Sequence, residues 1–207
     1  MNRAVIFAGG EIKNYNIISN YINENDYIIC ADSGYIHAKK LNIRVNLLVG
    51  DFDSLNIDYK ADEIIRLEIN KDDTDTYSAV KHAIKRGYKD FLLFGMLGGR
   101  TDHSLANISI LSFLKNHDCS GIIINENEEI TFVLNETVKI KKTDCEHFSL
   151  IAVSGTVRGV TIKGAEFCLD NADIEYPYQY ATSNKVIDEY AIVRILEGKV
   201  LLIKNFC

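Results

Sequence analysis

The sequence predicts an α/β N-terminal domain with a mostly parallel sheet, followed by a C-terminal antiparallel β-sandwich domain. Two observations predict this. Over roughly the first 115 residues short apolar segments alternate with helical patterns, the signature of strand–helix–strand units. After Asp118 the long helical stripes vanish, and apolar residues recur with period two or nearly so between glycine turns. The domains are accordingly placed at 1–118 and 119–207. No Pro- or Gly-rich linker separates them, so they are expected to pack rather than swing.

In the first domain strands are expected at 4–8, 27–31, 47–49, 64–67 and 91–94, each a short apolar run. The opening segment, Met1 to Gly10, reads as the first strand rather than as a signal peptide, because it lacks the long apolar stretch. A helix is expected over 74–86, where Tyr77, Val80, Ala83 and Ile84 form one stripe and Gly87 supplies the stop. Another is expected over 103–115, with Leu105, Ile108, Leu111 and Leu114 at spacings of three. In the second domain the alternating segments are 137–141, 148–153, 160–162 and 191–195. Gly155, Gly159, Gly164 and Glu197-Gly198-Lys199 mark its turns.

Composition narrows the function. With 207 residues and 47% hydrophobic content the chain buries a substantial core, and its net charge of -6 disfavours nucleic acid as a partner. The apolar run at 91–97 is far short of the ~20 residues of a membrane-spanning helix, so no membrane is expected. The five cysteines, at 30, 119, 145, 168 and 207, form no Cys-x-x-Cys pair; reduced thiols in a cytoplasmic protein account for them.

Three acidic motifs carry the chemistry: Gly50-Asp51-Phe52-Asp53-Ser54, Lys71-Asp72-Asp73-Thr74-Asp75 and Gly98-Gly99-Arg100-Thr101-Asp102-His103. Carboxylates that converge at strand ends repel one another unless a hard divalent cation and phosphates neutralise them, which points to Mg²⁺-dependent phosphate chemistry. Asp51 and Asp53 follow a strand, and in extended chain an i, i+2 spacing puts both carboxylates on one side and Phe52 on the other. Alone, that motif also reads as an Asp-rich turn capped by Ser54. Asp72, Asp73 and Asp75 precede or open a helix and suit capping, but the adjacent Lys71 suits phosphate oxygens. In the third motif the paired glycines allow close backbone approach, Arg100 offers a bidentate phosphate contact, and Asp102 is either ligand or N-cap. His103 alone reads as structural. Neither a P-loop nor a dinucleotide fingerprint is present, so a nucleotide here relies on bound metal, Lys71 and Arg100.

Together with Ala31-Asp32-Ser33-Gly34, these motifs resemble the thiamine pyrophosphokinase family in order and spacing over most of the chain. The segments Gly164-Ala165-Glu166-Phe167-Cys168-Leu169 and Ala181-Thr182-Ser183-Asn184 look like that family's aromatic thiamine-site segment and Ser-Asn turn. The resemblance implies a homodimer with substrate sites at the subunit interface, converting ATP and thiamine to AMP and thiamine diphosphate. It further implies Mg²⁺ on Asp51, Asp53 and Asp75, ATP contacts from Asp32, Ser54, Lys71, Asp72, Thr74 and Arg100, and thiamine contacts from Asp75, Phe167, Ser183 and Asn184. Either Asp75 or Asp102 positions or deprotonates the thiamine hydroxyl. Two positions depart from the family pattern: Ser33 stands where glycine is usual, and Phe167 where Trp or Tyr is usual. Phe167 is therefore either a π face for the thiazolium or a core residue of a strand. The rival functions are a Mg²⁺-dependent phosphohydrolase with an Asp nucleophile and a non-catalytic thiamine- or nucleotide-binding module.

Overall fold

Four consecutive buried residues, Ala4–Phe7, form β1, the strand around which the first half of the chain is built. The computed structural model describes residues 3–52, 58–68 and 72–206. After β1 come α1 (Tyr15–Ser19), β2 (Tyr27–Ala31), a 3-10 turn (Asp32–Gly34) that runs into α2 (Tyr35–Leu41), β3 (Leu47–Gly50) and β4 (Glu63–Arg66). Then follow α3 (Asp75–Lys85), β5 (Asp90–Phe94), α4 (Thr101–Lys115) and β6 (Ser120–Ile124). Contacts divide the chain into two compact units, 1–126 and 127–207.

In the first unit the strand order is β4-β3-β2-β1-β5-β6 and every pair is parallel. Side chains alternate across this sheet. Val5, Phe7, Ile28, Cys30, Leu48, Leu92 and Phe94 pack with Ile18 of α1 and with Tyr35 and Ala38 of α2. Ala4, Ile6, Ile29, Leu47 and Leu93 are equally buried, and α3 packs on β1, β2 and β3. Burial on both faces is why these strands read as unbroken apolar runs. Because β1 lies between β2 and β5, the order of winding reverses beside it, and open α/β sheets bind ligands at such a switch point.

Both long helices are where expected, but each is rotated from the expected stripe. On α3 the buried residues are Thr76, Ser78, Ala79, Val80 and Ala83; Tyr77 and Ile84 sit at the edge of that face. Small side chains bring a helix close to its sheet, and the larger ones are displaced to the rim. Thr74 is the N-cap, its Oγ1 accepting the Tyr77 N–H at 3.2 Å. On α4 the buried residues are Asn107, Ile110, Leu111 and Leu114, while Leu105 is 63% exposed. The helix begins at Thr101, with Arg100 at the N-cap position, so Asp102 lies in the first turn and is not the cap.

The second unit comprises β7 (Glu128–Leu134), β8 (Thr137–Lys141), β9 (His147–Ala152), β10 (Thr156–Lys163), β11 (Leu169–Glu175), β12 (Tyr190–Arg194) and β13 (Lys199–Asn205). Strands β7, β13 and β9 pair antiparallel, and so do β11, β10, β12 and β8 in a second sheet. Phe148, Leu150, Val200 and Leu202 of the first layer share a core with Ile140, Val160, Ile162, Ile174 and Val193 of the second. The expected β-sandwich is therefore present.

Candidate functional site

Beyond the C-terminal ends of β1, β2, β3 and β5 lies a cleft of about 890 Å³. Ala8, Gly9, Gly10 and Glu11 follow β1; Asp32 and Ser33 follow β2; Asp51 follows β3; Met96 and Gly98 to Arg100 follow β5. The first turns of α3 and α4 complete it with Asp75, Thr76, Asp102 and His103. The positive ends of two helices and several carboxylates thus face one space, an arrangement suited to anionic ligands carrying a cation.

The sequence motifs meet here in part. Asp32, Asp51, Thr74, Asp75, Arg100 and Asp102 all line the cleft. Asp53, Ser54 and Lys71 lie outside the described residues. Asp72 is exposed and does not line the cleft; Asp73 pairs with Lys81 Nζ at 2.5 Å, on the side of α3. Among the described residues no three His, Cys, Asp or Glu side chains group closely enough to hold a metal by themselves.

Strand β3 ends at Gly50 and Phe52 has φ +62°, so the extended path that the expected alternation assumed ends by Phe52. The Phe52 ring packs 5.0 Å from that of Tyr59 and under the Arg66 guanidinium at 5.2 Å, contacts that hold a left-handed conformation unusual for an aromatic residue. Asp32, which lines the cleft, is also left-handed, at φ +44°. Such backbone strain clusters at functional sites.

Arg100 and Asp102 engage each other. Nε donates to Oδ1 at 3.1 Å and Nη2 to Oδ2 at 2.5 Å. The Arg100 guanidinium and, more weakly, the His103 N–H hold the Asp102 carboxyl down at about 2, while desolvation acts in the opposite direction. Both side chains are exposed, so the pair is one that an incoming phosphate can open by competing for the guanidinium.

Sequence reasoning passed over Gly9, Gly10, Glu11 and Asn107. A Cβ on Gly9 would lie 2.1 Å from Ser33 Oγ, so glycine there accommodates the serine. The paired glycines directly after an expected strand were the available signal. Asn107 Nδ2 donates to the Met96 carbonyl at 2.8 Å and fixes the loop after β5 to α4, which no sequence pattern announces.

In the second unit Phe167 is 63% exposed, which removes the core reading of its ring. The Asn184 side chain, on a residue 3% exposed, grips the Phe167 backbone from both sides. Oδ1 accepts from Phe167 N at 3.0 Å and from Lys185 N at 2.9 Å, and Nδ2 donates to Phe167 O at 2.7 Å. Asn184 is thereby committed to presenting Phe167. Ser183 has φ +55°, and its N–H donates to Ser149 Oγ at 3.0 Å.

Comparison with known proteins agrees with this division. Residues 18–123 match the family model for the thiamin pyrophosphokinase catalytic domain, and residues 135–200 that for the thiamin pyrophosphokinase vitamin B1 binding domain. The thiamine pyrophosphokinase of Bacillus subtilis (strain 168) is 26% identical over 207 residues, covering 97% of each chain. The crystal structure of the B. subtilis enzyme superposes with a TM-score of 0.88 at 22% identity, covering all of both chains. That of the thiamin pyrophosphokinase from Geobacillus thermodenitrificans superposes at 0.85 with 25% identity, covering 100% of this chain and 98% of that one. With one family model on each half and the motif carboxylates lining a switch-point cleft, the chain belongs to the thiamin pyrophosphokinase family.

Proposed function

We infer that this chain is a thiamine diphosphokinase, transferring a pyrophosphoryl group from ATP to the hydroxyl of thiamine to give thiamine diphosphate and AMP. The observation that carries the reading is that both halves of one chain match the two domains of a single enzyme family. In the reaction the thiamine oxygen bonds to the β-phosphorus, the bond from that phosphorus to the bridging oxygen of the α-phosphate breaks, and the hydroxyl proton is lost.

The ATP triphosphate is assigned to the cleft of the first unit. Arg100, released from Asp102, pairs with phosphate oxygens, and Lys71 adds a second cation; Asp32, Ser54 and Thr74 complete the nucleotide contacts. Asp51 and Asp75, two hard oxygen donors on one cleft, fit Mg²⁺, which commonly takes one or two carboxylates and fills its shell with phosphate oxygens and water. With Asp53 they would hold the ion, which when bound neutralises phosphate charge as the bond breaks. Either Asp75 or Asp102, both on the cleft wall, orients the thiamine hydroxyl and takes its proton. Phe167 offers its face to the thiazolium, Ser183 supplies a polar contact, and Asn184 acts through Phe167.

We further place the protein in the cytoplasm as a homodimer with shared substrate sites. Cys30 and Cys119 are free thiols, both buried and both pushed up by that burial, in keeping with a reducing compartment. Among the described residues no helix is long and apolar enough to cross a membrane.

Incubation with ATP, Mg²⁺ and thiamine, followed by chromatography, tests the function. AMP and thiamine diphosphate are expected in equal amounts. Phosphate release independent of thiamine would instead identify a hydrolase, and binding without turnover a binding module.

A further inference from the structure

His37 is 7% exposed on α2, behind the cleft wall formed by Gly9, Gly10 and Glu11. Its Nε2 lies 2.8 Å from the Gly10 carbonyl oxygen and its Nδ1 2.8 Å from the Tyr15 hydroxyl. A carbonyl can only accept, so Nε2 carries the proton and Nδ1 accepts from Tyr15. Gly10 is held at its other end as well, since its N–H donates to the Gly95 carbonyl at 2.7 Å. Neither bond can be replaced by a side chain at this position, because a Cβ on Gly10 would meet the Leu97 carbonyl oxygen at 2.3 Å.

We propose that His37 is a positioning residue for the nucleotide, its Nε2–H fixing the Gly10 carbonyl and with it the wall against which the triphosphate binds. The proposal rests on the assignment of the cleft to ATP. Tyr15 on α1 orients the ring, lying 5.9 Å from it, and Phe7 of β1 packs at 6.3 Å. Lys40 lies above the Tyr15 ring at 5.1 Å and acts electrostatically on His37. Burial lowers the His37 pKa, the Gly10 carbonyl raises it and Lys40 lowers it, with burial the largest influence. A neutral imidazole near pH 7 agrees with the geometry.

The test compares His37→Gln, whose amide keeps a donor near the Nε2 position, with His37→Leu, which keeps bulk and loses the donor. Binding of α,β-methylene-ATP with Mg²⁺ is measured by calorimetry, alongside KM for both substrates and thermal unfolding. His37→Leu is expected to weaken analogue binding and raise KM for ATP about tenfold, the upper end of what one intramolecular hydrogen bond contributes. KM for thiamine stays unchanged, and His37→Gln recovers most of the loss. A folded His37→Leu protein that binds the analogue like wild type overturns the proposal, as does a Gln variant impaired as much as Leu. Should His37→Leu fail to fold, nitrogen NMR of the wild-type imidazole decides. An Nε2–H tautomer at neutral pH with a midpoint below the ordinary 6.5 is expected, and an Nδ1–H tautomer or a midpoint at or above 6.5 overturns the assignment. Wild-type protein that binds the analogue yet forms no thiamine diphosphate would refute the enzymatic function while leaving the His37 result to be read by itself.

Discussion

Asp51 stands at the end of a buried strand, held by a neighbour in a conformation that costs about 1–3 kcal/mol for a non-glycine residue. The Phe52 ring contacts with Tyr59 and Arg66 offset that cost and fix where the Asp51 backbone leaves the sheet. Asp51→Asn keeps size and shape but removes a charge, so turnover should fall by far more than the tenfold that ~1.4 kcal/mol represents, with thermal unfolding little changed. Wild-type rates in that variant would overturn the proposed role of Asp51 in holding a metal. At the other end of the chain Phe167 and Asn184 invite opposite substitutions. Phe167→Leu on an exposed ring should leave stability unchanged and weaken thiamine binding by about 0.5–2 kcal/mol. Asn184→Ala strips partners from the Phe167 backbone and should lower stability by about 1–3 kcal/mol as well as thiamine affinity. Isothermal titration with thiamine, paired with calorimetric unfolding, separates the two. Equal thiamine affinity in Phe167→Leu and wild type would dismiss the stacking role. Phe167 and Asn184 stood out in the sequence as candidate site residues, but it could not reveal that one presents the other, because a link between positions 167 and 184 exists only once the strands are folded.

Among the elements, legibility followed periodicity. Strands β1, β2, β3 and β5 were readable because a sheet covered on both faces demands unbroken apolar runs. Strand β13 was missed although Val200, Leu201 and Leu202 are all buried, since an unbroken apolar run carries no period-two signal. In β10 only 160–162 was legible, because a bulge with Gly159 at φ +64° breaks the period on either side. The two long helices, α3 and α4, were found but misphased. Size led the expected stripes toward Tyr77 and Leu105, whereas packing chose Ala79, Ala83 and a buried Asn107 whose amide is satisfied by Met96. This makes a measurable difference on α4. Leu111→Ala should cost about 2–5 kcal/mol, and Leu105→Ala should stay within about 0.5 kcal/mol of wild type. Denaturant unfolding of the two variants checks the phase of the helix, and a reversed ranking would contradict the observed face.

For the whole molecule the division of labour raises a question of assembly. The residues proposed for the triphosphate belong to 1–126 together with Asp75, while Phe167, Ser183 and Asn184, proposed for thiamine, belong to 127–207, each unit with its own core, and the thiamine hydroxyl must reach the β-phosphorus to react. Family resemblance implies that two copies of the chain share each site, and a symmetric dimer would then repeat the arrangement twice. Two substitutions in different units test this without disturbing either core. Asp51→Asn disables the phosphate half. Phe167→Lys sets a like charge against the thiazolium on an exposed position and disables the thiamine half. In a hybrid dimer one site collects both defects and the other collects none. After complete exchange of an equal mixture half the dimers are hybrids, so about a quarter of wild-type activity should return. Sedimentation establishes that the dimer forms, and mass spectrometry that subunits have exchanged. If exchange is complete and activity stays at the level of the separate mutants, each site is built from a single chain and the shared-site dimer is wrong.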